Sequence, residues 1–286
     1  MITLRRAVAA DAEACASILH EAFVRIAAQH GFPSSFPSLE VAGRVAEHFL
    51  RLPAIHSLVA ESAGRVAGVV FLDEGDPIAG VAAIAVQPAL QGQGIGRRLM
   101  RAALERARGA VGVRLVQEAY NTGALALYAS LGFEAKEPLA RMAGTPRGAP
   151  PTGVDVRPFG QERLAECARL HERVHGFDRS VDLRDGIGFF RPLAAVRGGR
   201  VVAFTYAVYA GSLAWGVAET EEDLRALLAG VAAALRAPLA FLVPTRQAGL
   251  FRWCLDEGLR VEKPMTLMAM GEYREPQGGW FPSGIY

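Results

Sequence analysis

Cysteine is scarce: Cys15, Cys167 and Cys254 are the only three in 286 residues. Their odd number and wide spacing exclude a disulfide framework and the paired spacing of a zinc module. Cys15 and Cys167 fall within helical runs and read as small buried hydrophobes. An excess of charge of one sign is also missing. The formal net charge is +2, and residues 1–145 carry 14 Lys/Arg against 13 Asp/Glu, leaving 17 and 16 for the rest. Neither half offers the concentrated basic face that nucleic acid requires. No apolar run reaches membrane-spanning length, and the opening Met-Ile-Thr-Leu-Arg-Arg lacks the long apolar segment of a signal peptide. The expectation is a cytoplasmic protein with neither nucleic acid nor a membrane as partner. The histidines His20, His30, His48, His56, His171 and His175 show no ligand spacing that forces a metal. His171 and His175 share a helical face, but no third ligand accompanies them, so no metal is assigned.

What is present is a folding composition, 51% hydrophobic, in a chain long enough for two domains of about 140 residues. Residues 2–6 read as a short strand. Asp11 can cap a helix in which Ala14, Ile18, Ala22 and Ile26 recur at helical spacing. A proline- and serine-rich loop over residues 29–39 holds Phe32 and Phe36, and a second helix ends before Pro53. Residues 57–61 and 65–72 form a hairpin about Gly64. The acidic turn Asp73-Glu74-Gly75-Asp76 reads as a solvated surface cluster, or as a group near an amine if it faces a cleft.

The rest of the chain is arranged around Gln91-Gly92-Gln93-Gly94-Ile95-Gly96-Arg97-Arg98. An apolar run over 78–86 enters this stretch and an amphipathic run over 95–108 leaves it: strand, glycine loop, helix. Glycine lets the backbone turn tightly and approach a ligand, and the unpaired first-turn N–H groups of the helix suit a phosphate. The loop lacks the Lys-Ser/Thr ending of a nucleotide-triphosphate loop, and it sits after a strand in mid-domain, unlike a dinucleotide site. Gln91-x-x-Gly94-x-Gly96 resembles the acyl-coenzyme A pyrophosphate loop of the GCN5-related N-acetyltransferase (GNAT) family. A strand over 113–118, a helix over 121–131 carrying Tyr128, and Leu131-Gly132-Phe133-Glu134 extend the resemblance over residues 1–142.

Three echoes indicate that the second half repeats the first. Leu4-Arg5 with Cys15 ten residues after Arg5 is matched by Val156-Arg157 with Cys167 ten after Arg157, and Arg65-Val66-Ala67-Gly68 by Arg200-Val201-Val202-Ala203. The run from Leu127-Tyr128 to Gly132-Phe133 is matched by Leu250-Phe251 to Gly258-Leu259 with a small insertion, which sets Phe251 opposite Tyr128. The glycine loop itself is not repeated. Ala218-Glu219-Thr220-Glu221-Glu222-Asp223 stands in its place, and its four carboxylates would repel a pyrophosphate. The expected fold is therefore α/β (α+β), with two tandem acyl-CoA N-acyltransferase-like domains. Each has a mixed, largely antiparallel central sheet flanked by helices. Residues 1–143 form the catalytic domain, 144–153 a linker, 154–272 a degenerate domain without a coenzyme loop, and 273–286 a docked tail. That tail places Trp280, Phe281, Ile285 and Tyr286 against its own chain or a neighbouring subunit.

The resemblance implies transfer of acetyl from acetyl-CoA to a primary amine by direct attack in a ternary complex. It assigns the backbone N–H groups of Gln91, Gly92, Gln93, Gly94, Ile95 and Gly96 to the pyrophosphate. Arg97 and Arg98 either contact phosphate or stand as solvated helix charges. Ala85 and Val86 would pair with the pantetheine arm as an added strand does, the Val86 N–H polarising the thioester carbonyl. Asn121 contacts that arm or only caps its helix. Tyr128 is the general acid toward sulfur, or a core-edge aromatic. Glu118 is the first choice of general base, ahead of Glu74, unless water carries the proton. Phe32 and Phe36 either shape the acceptor site or pin their loop to the core. The acceptor is expected to be a small-molecule amine, with a protein N-terminus and a homodimer left open. The rival function is a sensor that binds acyl-CoA without turnover.

Overall fold

Two runs of elements repeat in order along the chain. The computed structural model describes residues 2–208 and 213–284. The first run is β1 (Ile2–Arg6), α1 (Ala12–Gln29), α2 (Leu39–Arg51), β2 (Ile55–Ser62), β3 (Arg65–Asp73), β4 (Ile78–Val86), α3 (Ile95–Arg106), β5 (Gly112–Glu118), α4 (Thr122–Ser130) and β6 (Glu134–Gly144). The second is β7 (Asp155–Pro158), α5 (Leu164–His175), α6 (Ser180–Phe189), β8 (Leu193–Arg197), β9 (Arg200–Tyr206), β10 (Trp215–Ala218), α7 (Glu221–Leu235), β11 (Leu239–Pro244), α8 (Ala248–Asp256) and β12 (Arg260–Gly271). A short strand, β13 (Gly279–Phe281), follows in the tail. Local chemistry starts several helices. Ser38 accepts the Val41 N–H ahead of α2, and Thr220 accepts the Asp223 N–H ahead of α7. No helix among the described residues is long and apolar enough to cross a membrane.

The strands form two sheets. The larger runs β1-β2-β3-β4-β5-β12-β6-β11, and the smaller β13-β10-β9-β8-β7. The architecture is the two-domain α/β arrangement expected, yet the halves exchange strands. β12 of the second half inserts between β5 and β6 of the first, antiparallel to both. β6 in turn pairs antiparallel with β11. The exchange is reciprocal in register as well: Glu118 faces Met265 across β5–β12, and Pro244 faces Leu139 across β11–β6. Packing follows the pairing. Ala140 and Met142 of β6 lie in the core made by α7, β11 and α8, while Met268 of β12 lies in the core under α3 and α4. Each half therefore buries apolar side chains that only the other supplies, so the sequential division at 144–153 cuts across the larger sheet.

The structure refines one echo. Tyr128 is the seventh residue of α4 and Cys254 the seventh of α8, and left-handed Gly132 and Gly258 each follow four residues later. No insertion is needed, and the counterpart of Tyr128 is the buried Cys254, not Phe251. The acidic turn also departs from expectation. Asp76 accepts the Val181 and Asp182 N–H groups, capping α6 from the other half, and Asp73 is largely buried beside it. These two carboxyls join the halves and are not a solvated patch. The tail docks on its own chain, with Trp280 and Phe281 buried. Ile285 and Tyr286 lie outside the described residues.

Candidate active site

A bulge opens the site. The β3–β4 register shifts between Phe71 and Leu72, leaving Ala82 as an extra residue on β4. Beyond it β4 parts from β5: the two pair only from Ile78 to Gly80 against Gly112 to Arg114. Residues 81–86 and 115–118 then face each other across a cleft of about 1100 Å³. The Gln87 N–H bonds the Ala67 carbonyl, so by antiparallel alternation Ala85 spends its backbone groups on Val69. Those of Ile84 and Val86 point to the parted edge. The Val86 carbonyl accepts Gln91 Nε2 at 3.0 Å, which braces the glycine loop against the strand end.

The loop then turns into α3. Gly94, at φ +81°, caps the helix with no side chain over the first-turn N–H groups, and no acidic residue lies in that turn. A Cβ at Gly94 would meet nothing within 4 Å. Glycine is needed here for the left-handed backbone and not for space. Gly92, Gly94, Gly96 and Arg97 line the cleft. The arrangement presents free N–H donors and positive charge to an anion.

Across the cleft Tyr128 is 7% exposed and lines the wall. Burial pushes its phenol above the ordinary value, so it holds its proton. The far end is polar at its floor. Glu118, at the end of β5, accepts Ser35 Oγ at 2.7 Å and Lys263 Nζ at 2.7 Å, both on Oε1. Lys263 also donates to the Pro33 carbonyl at 3.1 Å and to Ser35 Oγ at 2.8 Å. Burial lowers the Lys263 pKa, against the opposing pull of Glu118. Glu118 Oε2 is buried with no hydrogen-bond partner among the described residues. Apolar side chains also line the cleft: Phe23, Phe36 and Val45 from the first half, and Phe189, Phe190 and Leu213 from the second.

The acetyltransferase (GNAT) family model matches residues 16–133. The N-alpha-acetyltransferase RimI of Mycobacterium tuberculosis is 36% identical over 137 residues, 46% of this chain and 78% of that protein. The chain belongs to the GNAT acetyltransferase family. A mycothiol acetyltransferase of Pseudarthrobacter chlorophenolicus is 32% identical over 188 residues, 57% of each chain. In fold, a GCN5-related N-acetyltransferase from Sphaerobacter thermophilus superposes with a TM-score of 0.64 at 18% identity, covering 96% of this chain and 97% of that one. The protein is thus a GNAT-type acetyltransferase dependent on acetyl-CoA as acyl donor. Its uncapped α3 start, open β4 edge and cationic Arg97 fit such a donor.

Placed on this GNAT frame, most of the sequence-chosen residues converge. Ala85, Val86, Gln91, Gly92, Gly94, Ile95, Gly96, Arg97, Asn121, Tyr128, Glu118 and Phe36 all line the one cleft. Gln93 and Arg98 belong to the loop and to α3 but do not line it. Asn121 caps α4, its Oδ1 accepting the Ala124 N–H at 3.1 Å, while also facing the cleft. Phe36 does both things offered for it: it lines the cleft and is pinned by Phe23, with ring centroids 4.8 Å apart. Phe32 stacks on Tyr120 at 4.6 Å and holds the loop, without lining the cleft. Glu74 sits elsewhere, bound through both oxygens to Arg106 at 2.7 Å each. Sequence reading missed Lys263, Ser35 and the second-half wall. Ser35 sat in the loop already singled out. Lys263 is one of only two lysines in the chain, but nothing local connects it to Glu118, 145 residues away.

Proposed function

We propose that this protein moves an acetyl group from acetyl-CoA to a primary amine of a small molecule, by direct attack in a ternary complex. The observation that carries the reading is one continuous cleft. It runs from the glycine loop, along the open β4 edge and past Tyr128, to Glu118. The loop N–H groups take the pyrophosphate and Arg97 adds charge nearby. Pantetheine pairs along Ile84 and Val86, and the Val86 N–H polarises the thioester carbonyl. The neutral amine attacks that carbon, the C–S bond breaks, and the Tyr128 hydroxyl protonates the departing sulfur. Glu118 Oε2 takes the amine proton, directly or through one water. Phe189 and Phe190 of the second half wall the same cleft, which favours a small amine over a folded protein surface.

The second half is read as having no coenzyme site. Glu221, Glu222 and Asp223 fill the first turn of α7, where α3 has none, and their charge opposes a pyrophosphate.

A thiol-release assay over a panel of amines tests the reading. Tyr128→Phe should lower kcat by about a hundredfold, at the low end of general-acid effects, with coenzyme A affinity unchanged. Equal turnover in the variant would remove Tyr128 from the mechanism, and no thiol release with any amine would remove the reaction.

A further inference from the structure

The second half has a cleft that corresponds to the coenzyme cleft of the first, and the tail fills it. The correspondence is fixed by hydrogen bonding. The Glu219 N–H bonds the Val202 carbonyl as the Gln87 N–H bonds that of Ala67, and Ala203 faces Ala218 as Gly68 faces Val86. Ala218 and Gly216 are therefore the counterparts of Val86 and Ile84, and by the same alternation their backbone groups point away from β9. In the first half that edge is open. In the second, β13 pairs with it: Phe281 faces Gly216 and Gly279 faces Ala218.

The other edge of β13 is held as well. Trp280, facing Val217, directs its backbone away from β10, where Gln247 clamps it. Gln247 Nε2 donates to the Trp280 carbonyl at 2.6 Å, and the Trp280 N–H donates to Gln247 Oε1 at 3.2 Å. Gln247 precedes α8 as Asn121 precedes α4. The side chains then divide between the two cores of the second half. Trp280 packs on His175 at 5.4 Å between centroids, and Phe281 on Phe241 at 5.0 Å. Gly216 makes the seat possible, since a Cβ there would stand 2.5 Å from the Phe281 ring.

We infer that the second cleft is a receptor for an extended peptide strand and not for a coenzyme, and that its resident ligand is the chain's own tail. This rests on reading Ile84 and Val86 as the pantetheine edge: β13 does there, with backbone amides and a side-chain amide clamp, what pantetheine does in the first half. The seat also sets the path of the chain beyond it. Ser283 is buried and Gly284 reaches the lining of the first cleft beside Leu213. The tail thus closes one cleft and forms part of the mouth of the other.

Hydrogen exchange on the intact chain, with coenzyme A as the only added ligand, tests this together with titration calorimetry. One coenzyme A should bind per chain, and exchange over residues 278–283 should be slow with or without it. Gln247→Ala, which removes the clamp without touching the first cleft, should speed exchange there at least tenfold and leave coenzyme affinity within twofold. Two coenzymes per chain, faster tail exchange on adding coenzyme A, or unchanged exchange in Gln247→Ala would each overturn the inference. Failure to bind any coenzyme A would count against the proposed function instead, and the Gln247→Ala comparison would still decide the role of the tail.

Discussion

Asp73 ends β3 with its Oδ1 accepting the Gly75 N–H at 3.0 Å, and faces Asp76, Asp182 and Arg179 at the joint between the halves. Burial, reinforced by the Asp182 charge, raises its pKa to about 7. The folded protein then holds a proton there that the unfolded chain releases near pH 4. Stability should be fullest below that pH and decline as pH rises toward 7. Asp73→Asn removes the dependence while keeping the turn's acceptor. Denaturant midpoints at pH 5 and pH 8 should differ less in the variant, which gains roughly 2–4 kcal/mol at pH 8. An unchanged pH profile would show that Asp73 does not govern the joint. Nothing in Asp-Glu-Gly-Asp as a string reveals this, because the same four residues serve a solvated turn equally well. Packing of the other half onto the turn makes the difference: a Cβ at Gly75 would meet Val181 at 2.9 Å.

Helices α3 and α7 occupy matching places and begin in opposite ways. α3 starts at left-handed Gly94 with no acidic residue in its first turn, whereas α7 starts at Thr220 with three. The helix dipole leaves the first start favourable to an anion, whereas the acidic residues of the second satisfy it internally. Gly94→Asp should weaken coenzyme A binding at least tenfold, about 1.4 kcal/mol, by adding a carboxylate and a strained left-handed residue. Calorimetric titration checks this, and binding as tight as in the wild type would move the phosphate site off α3. At this scale the sequence was informative, because a glycine loop and a helix start are local and their chemistry depends on neighbouring residues. The parting of β4 from β5 was not visible. It follows from a one-residue bulge at Ala82 in an apolar run whose composition suits a regular strand equally well.

The reciprocal exchange of β6 and β12 makes the two halves one folding unit. Residues 1–153 alone would leave β5 and β6 unpaired along the edges that β12 now covers, and would lose Lys263, the buried partner of Glu118. This fragment should be insoluble or only partly folded, and co-expression with residues 154–286 should restore a complex that binds coenzyme A. Gel filtration and circular dichroism provide the check: a monomeric, folded fragment with full coenzyme affinity would show the halves to be independent.

By itself the sequence determined the number of halves, the order of their elements, and the glycine loop ahead of α3 that has no counterpart ahead of α7. These follow from periodicity, from glycine at a strand–helix junction, and from charge at a helix start, all readable within a few residues. The tertiary structure decided which strand completes which sheet, that Cys254 and not Phe251 stands opposite Tyr128, that Glu74 pairs with Arg106 away from the cleft, and that Lys263 pairs with Glu118. It also set β13 into the second cleft. Each of these depends on pairing between residues far apart in the chain, and strands of similar length and apolar content carry no local mark of their partner. The Gln91–Gly96 stretch specifies an uncapped helix start on its own, but its extension into a cleft that ends at Glu118 depends on strands contributed by both halves.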